Sequence, residues 1–162
     1  MEIRPMLATD WPEVARIYRE GIATGFATFE TEAPQYEAWN RAHLPECRLV
    51  AEQKGSVLGW AALSPVSGRC VYGGVAEVSI YIGDGNRGKG IGMRLMEHLI
   101  RESEAAGLWT LQSGIFPENE ASIRLHEKAG FRRLGYREKV ALHQGVWKDN
   151  VLFERRSPTV GL

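Results

Sequence analysis

Five glycines fall within residues 83–92, between a run typical of a strand and a run typical of a helix. Glycine has no Cβ, so a glycine-rich backbone lets a bulky anion such as a phosphate come close. Backbone N–H groups at the start of a helix attract anions, and the helix dipole strengthens that attraction. Arg87 and Lys89 add positive charge to the same segment. The stretch therefore predicts an anion-binding loop, with a plain glycine-rich turn as the simplest alternative.

A Walker A phosphate loop is a second interpretation of this stretch. Gly83, Gly88 and Lys89 fit the first seven positions of that pattern. The eighth position is Gly90, where nucleotide hydrolysis needs a Ser or Thr hydroxyl to bind Mg²⁺. The pattern of a P-loop-like nucleotide-binding protein therefore fails at the position that carries the chemistry.

A dinucleotide site is a third interpretation, because Gly83, Gly85 and Gly88 also match the spacing Gly-x-Gly-x-x-Gly. Such a site needs an acidic residue about 20 positions further on to hold a ribose. The acid nearest the end of the following strand is Glu118, which comes too late in the chain. A lone match of this kind is weak evidence.

A fourth pattern accounts for more of the residues in this glycine-rich stretch. Residues 87–92 have the form Arg-x-x-Gly-x-Gly and lead directly into the predicted helix. Alternate glycines leave room for a pyrophosphate, which the N–H groups at the helix start can bind. No metal is needed, so the missing hydroxyl at Gly90 is no longer a defect.

The composition is that of a globular protein with one domain, residues 1–162. The chain is 44% hydrophobic and 25% charged, and its 20 basic and 20 acidic side chains cancel. No bulk charge therefore favours nucleic acid or a membrane surface. No apolar run reaches the length of a membrane span, and the N-terminus lacks the pattern of a signal peptide.

The cysteines and histidines indicate neither a disulfide nor a metal site. Cys47 and Cys70 lie far apart without a pairing pattern, which is typical of the reducing cytoplasm. We interpret both as small buried groups. The four histidines show no metal-ligand spacing, so no metal is expected.

The periodicity of the first half predicts strands and helices in alternation. A strand at residues 2–6 precedes a helix at 9–23, where Asp10 and Glu13 have the spacing of a capping box. A short helix at 34–44 and two strands joined at Lys54 and Gly55 follow. Residues 73–83 form the clearest predicted strand. One face would carry Ala76, Val78, Ile80 and Ile82, and the other would carry Glu77, Ser79 and Tyr81.

The second half continues the mixture, so the fold class is α/β (α+β mixed). A helix at about 88–106 is followed by a strand at 108–116. Asn119 caps the next helix and Gly130 ends it, and two strands at 131–142 and 145–155 close the chain. The predicted helix at about 88–106 has an apolar stripe that would face the core, formed by Leu95, Met96, Leu99 and Ile100.

Together these features resemble the GNAT superfamily of acyl-CoA-dependent N-acetyltransferases, whose pyrophosphate loop has the form of residues 87–92. The run "NEASIRLHEKAGF" resembles the next helix of that superfamily. Within it, "ATFETEAPQYEAW", "AEVSIYI" and "GVWKDNVLF" are similar to the phosphinothricin and methionine sulfoximine acetyltransferases. The resemblance implies the GNAT fold, a central, mixed, mostly antiparallel twisted sheet of about seven strands with helices on both faces.

The resemblance also implies a reaction and the residues that perform it. Acetyl-CoA would be the co-substrate, and its acetyl group would pass directly to the amine of a small amino-acid-like substrate. A peptide N-terminus or a polyamine is the alternative acceptor. Glu77 is the predicted catalytic base, directly or through a water, with a solvated sheet carboxylate as the alternative. The predicted cofactor contacts are Ile80, Tyr81, Ile82, Arg87, Gly88, Lys89, Gly90, Ile91, Gly92, Met93 and Asn119.

The acceptor contacts implied by the resemblance are Phe29 and the segment Cys70, Val71 and Tyr72. Similar sequences carry an arginine and an aromatic residue just before the strand glutamate, where this chain has glycines at 73 and 74. His126 stands where many members have a tyrosine that protonates the leaving thiolate, and we favour a packed histidine. The resemblance further implies a homodimer.

Overall fold

The computed structural model describes residues 1–162, and all seven strands join one sheet in the order β1-β2-β3-β4-β5-β7-β6. Every neighbouring pair is antiparallel except β4 and β5, which run parallel. The predicted fold class is therefore confirmed. The strands are β1 Glu2–Pro5, β2 Leu49–Gln53, β3 Ser56–Pro65, β4 Val75–Ile82, β5 Thr110–Ile115, β6 Arg132–His143 and β7 Val146–Arg156. The helices are α1 Trp11–Thr24, α2 Tyr36–Ala42, α3 Ile91–Ala105 and α4 Glu120–Lys128.

Two cores lie on opposite faces of the sheet. The larger one packs α3 against the central strands, and its fully buried residues include Leu95, Met96 and Leu99 of the predicted inner stripe. The smaller one packs α1 and α2 against β2 and β3 around Trp39 and Trp60. Burial of these apolar side chains is the main stabilising contribution to the fold. None of the helices combines the length and the apolar composition that crossing a membrane requires.

β4 takes part in both cores because its side chains alternate between them. Ala76 is fully buried in the larger core, where Val78, Ile80 and Ile82 also pack. Tyr81 faces the smaller core and stacks on Trp60 with ring centroids 5.0 Å apart. The predicted alternation is therefore confirmed, and the second face is largely covered by α1 rather than open to solvent.

Two expectations about single residues are wrong. The Asp10 carboxylate does not cap α1, because it accepts hydrogen bonds from the Arg4 guanidinium at 2.8 and 2.9 Å and from the Leu7 N–H at 2.8 Å. The arginine holds the pKa of Asp10 below its ordinary value. Cys70 is exposed in a short turn, whereas Cys47 is buried as expected.

The turns form where glycine predicted them. Lys54 and Gly55 both adopt positive φ in the β2–β3 hairpin, at 52° and 80°. Gly130, at 93°, ends α4. Helix α2, Tyr36–Ala42, is two residues shorter than predicted at each end.

Candidate active site

The parallel strands β4 and β5 separate soon after they begin to pair. Their register runs only from Val75 opposite Thr110 to Glu77 opposite Gln112, and the rest of β4 has no partner on that side. The gap opens into a cavity of about 860 Å³ that reaches both faces of the sheet. A cavity of this size and position is typical of a ligand site.

One end of the cavity is built by the glycine loop. Gly85, Gly88 and Gly90 adopt φ of 80°, 76° and 80°, a left-handed conformation that favours glycine. A Cβ on any of them would have no other atom of the chain within 4 Å, and Gly88 and Gly90 line the cavity with bare backbone. Helix α3 begins directly afterwards at Ile91.

The start of α3 supplies the donors. The first intrahelical bond of the turn runs from the Arg94 N–H to the Gly90 carbonyl, so the N–H groups of the first turn, at Ile91, Gly92 and Met93, have no helical acceptor. These three residues line the cavity. The helix dipole adds positive potential at the same place, which makes this end an anion site.

Side chains around the loop fix its shape and add charge. The Asp84 N–H donates to Glu20 at 2.7 Å, and the Arg87 guanidinium pairs with Asp84 at 3.0 Å. Arg87 lines the cavity, whereas Lys89 does not. Arg124 and Lys128 on α4 also line it, and sequence reasoning missed them. Their four-residue spacing on one helix face was the available signal.

The free edge of β4 forms the next part of the wall. Ile80, Tyr81 and Ile82 line the cavity and have no strand partner on the β5 side. Their backbone groups are therefore available to an extended ligand that adds to the sheet in the manner of a strand. Asn119 lies at the opposite wall, where its Oδ1 accepts the Ser122 N–H at 3.3 Å and caps α4 as predicted.

Glu77 lies at the point where the strands part. Its side chain faces the same side of the sheet as Tyr81, and solvent reaches it through the cavity. The surrounding protein nevertheless disfavours the charged form, so desolvation raises the pKa of Glu77 above its ordinary value. A carboxylate with a raised pKa is a better proton acceptor than an ordinary one, which suits a general base.

Aromatic side chains close the cavity beyond Glu77. Phe29, from the segment after α1, packs edge-on against Phe116, with ring centroids 4.5 Å apart and an interplanar angle of 79°. Asn150 of β7 lines the same end. Neither Phe116 nor Asn150 was singled out from the sequence, because nothing in their local patterns differs from core or hairpin residues.

The segment Cys70–Tyr72 forms a short 3-10 turn that does not line the cavity. Its contact with the acceptor stays a prediction. Packing explains the glycine at position 74, beside this turn, because a Cβ there would lie 2.0 Å from the Trp109 ring. Gly73 has less constraint, with a Cβ 3.1 Å from the Cys70 carbonyl oxygen.

His126 is buried and hydrogen-bonded at both ring nitrogens. Its Nδ1 lies 2.7 Å from the Ser122 carbonyl oxygen, which can only accept, so Nδ1 carries the proton. Burial lowers the pKa of His126, which favours the neutral ring, and Nε2 then accepts from the Ser113 hydroxyl at 2.9 Å. The neutral ring therefore has no N–H left to donate into the cavity.

Comparison with known proteins identifies similar sequences over nearly the whole chain. The family model described as acetyltransferase (GNAT) family matches residues 11–131. The chain is 31% identical to the phosphinothricin N-acetyltransferase of Streptomyces viridochromogenes, covering 96% of this chain and 87% of that protein. It is 33% identical to an L-methionine sulfoximine/L-methionine sulfone acetyltransferase of Pseudomonas aeruginosa, covering 91% and 89%.

A solved structure shows the same architecture with a ligand. The GNAT superfamily phosphinothricin acetyltransferase from Sinorhizobium meliloti, in complex with acetyl-CoA, superposes with a TM-score of 0.89 at 29% identity. The match covers 99% of this chain and 90% of that one. The seven-stranded mixed sheet described above is thus the fold of an acetyl-CoA-binding protein.

Proposed function

The chain belongs to the GNAT family of acetyltransferases, enzymes whose co-substrate is acetyl-CoA, and on that premise we propose that it acetylates the amine of a small amino-acid-like acceptor, of the phosphinothricin or methionine sulfoximine type. The single observation that carries the proposal is the continuity of the cavity. One space joins the anion-binding loop, the free edge of β4 and the Glu77 carboxylate. Residues 1–162 would act as one domain.

The residues of the anion end fit the co-substrate. The N–H groups at the start of α3 and the backbone of the glycine loop would bind its pyrophosphate, with Arg87 beside them. The free edge of β4 from Ile80 to Ile82 would pair with the extended arm, and Asn119 would contact that arm from α4. Acetyl-CoA supplies the activated acetyl thioester.

The residues at the parting of the strands would perform the transfer. Glu77 would take a proton from the incoming ammonium, directly or through a water, because only the neutral amine is a nucleophile. A backbone N–H of the β4 edge would donate to the thioester oxygen as negative charge develops there. As the new C–N bond forms, the C–S bond would break, and CoA would leave as a thiolate that solvent protonates. The aromatic pair of Phe29 and Phe116 would exclude water from the same end.

We also propose that the chain forms a homodimer in the cytoplasm. β6 is an edge strand, and the exposed cross-strand pair of Leu142 and Trp147 lies on its hairpin with β7. Exposed apolar side chains beside an open strand edge favour association with another chain. Both cysteines are unpaired, which suits a reducing compartment.

An acetylation screen tests the proposed function. Purified protein with acetyl-CoA would be offered amino acids, methionine sulfoximine, phosphinothricin, polyamines and N-terminal peptides, and the products would be identified by mass spectrometry. We expect N-acetylation of the amino-acid analogues. Reaction of the peptides or polyamines alone would refute the acceptor class, and no reaction with any amine would refute the proposal.

A further inference from the structure

Glu20 connects helix α1 to the glycine loop from outside the cavity. Its Oε2 accepts a hydrogen bond from the Asp84 N–H at 2.7 Å, between residues 64 positions apart in the chain. The Glu20 side chain is 21% exposed, and it does not line the cavity. A hydrogen bond to a charged carboxylate is about twice as strong as one between neutral groups. The contact therefore restrains the loop near its beginning, directly after β4.

Asp84 extends this restraint to a side chain of the cavity wall. Its carboxylate pairs with the Arg87 guanidinium at 3.0 Å, and the Arg87 Nε also donates to the Ile82 carbonyl oxygen at 3.3 Å. Arg87 lines the cavity, whereas Asp84 does not. A chain of contacts thus runs from Glu20 through Asp84 to Arg87, so α1 holds both the loop backbone and this cation.

The loop has few other restraints on its backbone. From residue 83 to residue 89, its bonds with other backbone groups are those of the Gly83 N–H to the Leu58 carbonyl oxygen at 2.8 Å and of the Asn86 N–H to the Gly83 carbonyl oxygen at 3.0 Å. Glycine loses more conformational freedom than any other residue when its backbone becomes ordered. A restraint present before the ligand binds lowers the cost of that ordering, which raises affinity.

The charge of Glu20 by itself would not help an anion to bind. A carboxylate beside a pyrophosphate site repels the ligand. Arg16 on the same helix offsets part of this charge, because its guanidinium pairs with Glu20 and, at 2.7 Å, with Glu13. Any benefit of Glu20 to the anion end must therefore come from its hydrogen bond to the loop and not from its charge.

We propose that Glu20 is a positioning residue for acetyl-CoA, which acts through the Asp84 N–H to hold the glycine loop and Arg87 in the geometry that receives the pyrophosphate. Its carboxylate touches neither co-substrate nor acceptor. The inference rests on the proposed function and gives α1 a role in binding the co-substrate.

Three variants of α1 test this role by steady-state kinetics, with the Kd for acetyl-CoA measured by calorimetry without acceptor. Glu20→Ala removes the hydrogen-bond acceptor, so the KM and Kd for acetyl-CoA should rise by about 3- to 10-fold while kcat changes by less than about twofold. Glu20→Gln keeps an oxygen that accepts the Asp84 N–H, so both constants should stay close to wild type. Glu13→Ala is the matched control, because Glu13 also pairs with Arg16 but has no contact with the loop.

A fourth variant separates positioning from charge. Glu20→Asp keeps the charge but is one methylene shorter, so it should lose the bond to the Asp84 N–H and raise the KM for acetyl-CoA as Glu20→Ala does. A carboxylate that acted only through repulsion would give the opposite pattern. The KM would then fall in both Glu20→Ala and Glu20→Gln, and it would stay unchanged in Glu20→Asp.

A double variant tests the route through Arg87. If Glu20 acts partly by holding that guanidinium, Glu20→Ala should raise the Kd for acetyl-CoA by a smaller factor in an Arg87→Ala background than in wild type. Equal factors in the two backgrounds would refute the part of the proposal that concerns Arg87.

The outcomes separate this inference from the proposed function. A wild-type protein that does not bind acetyl-CoA refutes both. A wild type that binds acetyl-CoA, with unchanged or lower Kd in folded Glu20→Ala or Glu20→Asp, refutes the role of Glu20 alone. An equal rise in Glu13→Ala also refutes it, because the effect would then belong to the ion pairs of α1.

Discussion

The two ends of the cavity use different parts of the polypeptide. The anion end consists mainly of backbone from one continuous segment, the glycine loop and the first turn of α3. The other end consists of side chains from four separate segments of the chain, Phe29, Glu77, Phe116 and Asn150 among them, and we refer to it as the acceptor end. On the proposed function, the shared, unreactive part of the ligand would contact backbone, and the variable acceptor would contact side chains.

This difference explains how each end can change. Backbone donors do not depend on side-chain identity, so the anion end tolerates substitutions that keep φ and leave space for the ligand. Side chains at the acceptor end can be exchanged singly, which changes the acceptor without disturbing cofactor binding. Variants at the two ends should therefore separate affinity for acetyl-CoA from the rate of transfer.

Glu77→Gln is expected to give the largest loss in the rate of acetyl transfer without a change in acetyl-CoA affinity. The variant keeps the shape but removes the base, which costs on the order of 10²- to 10⁴-fold in kcat/KM near neutral pH. Because burial raises the pKa of Glu77, wild-type activity should fall as pH decreases through that raised pKa, and this acid limb should be absent in the variant. Variant activity should partly recover as pH approaches the pKa of the amine. Steady-state kinetics across pH measures both effects.

The stability of the same variant provides the control. Ionisation of a carboxyl group whose pKa is raised in the folded state lowers the free energy of unfolding of the protein. Glu77→Gln should therefore be no less stable than wild type at neutral pH. Thermal unfolding measures this. A variant that unfolds earlier and shows a flat pH response would indicate a structural carboxylate instead of a base.

The next largest effect is expected for Gly90→Val at the opposite end. A valine side chain would occupy the space of the pyrophosphate, so the variant should lose the stabilisation of about 2.7 kcal/mol that acetyl-CoA gives at a hundredfold excess over Kd. Gly55→Val is the matched control, because Gly55 has the same φ of 80° and equally open surroundings in a hairpin turn. Unchanged acetyl-CoA affinity in folded Gly90→Val would exclude this loop as the site.

A smaller effect is expected where the two ends meet at α4. Asn119→Ala should lower the free energy of unfolding by about 1 kcal/mol, because the cap on the Ser122 N–H is lost. If Asn119 also contacts the cofactor arm, the KM for acetyl-CoA should rise, whereas Asn119→Ser keeps a cap and loses only that contact. Equal KM values in all three proteins would leave Asn119 as a helix cap only.

The conformation of the glycine loop and the start of α3 were predictable from the sequence for a physical reason. A backbone site needs positive φ and missing side chains at fixed spacing, and both requirements are visible as glycines in one segment. The same locality made the β4 alternation, the α3 stripe and the Asn119 cap predictable. Fold class followed from the order of these elements.

The acceptor end is less predictable because its residues are brought together by tertiary contacts. The sequence around Asn150 predicts only a strand of the C-terminal hairpin. Gly114 looks like an ordinary strand glycine in the sequence, although a Cβ there would lie 2.6 Å from the Asn150 Oδ1. Asp10 failed as a cap for a similar reason, because its true partner, Arg4, belongs to another element. Local spacing carries no information about such partners.

We propose that this cavity binds acetyl-CoA through the backbone of the glycine loop and needs neither a metal nor a nucleoside triphosphate. Thermal unfolding of the wild-type protein with increasing acetyl-CoA, Mg-ATP or NAD tests it most directly. We expect acetyl-CoA alone to raise Tm, with a shift that grows with its concentration. Stabilisation by Mg-ATP or NAD without stabilisation by acetyl-CoA would contradict it.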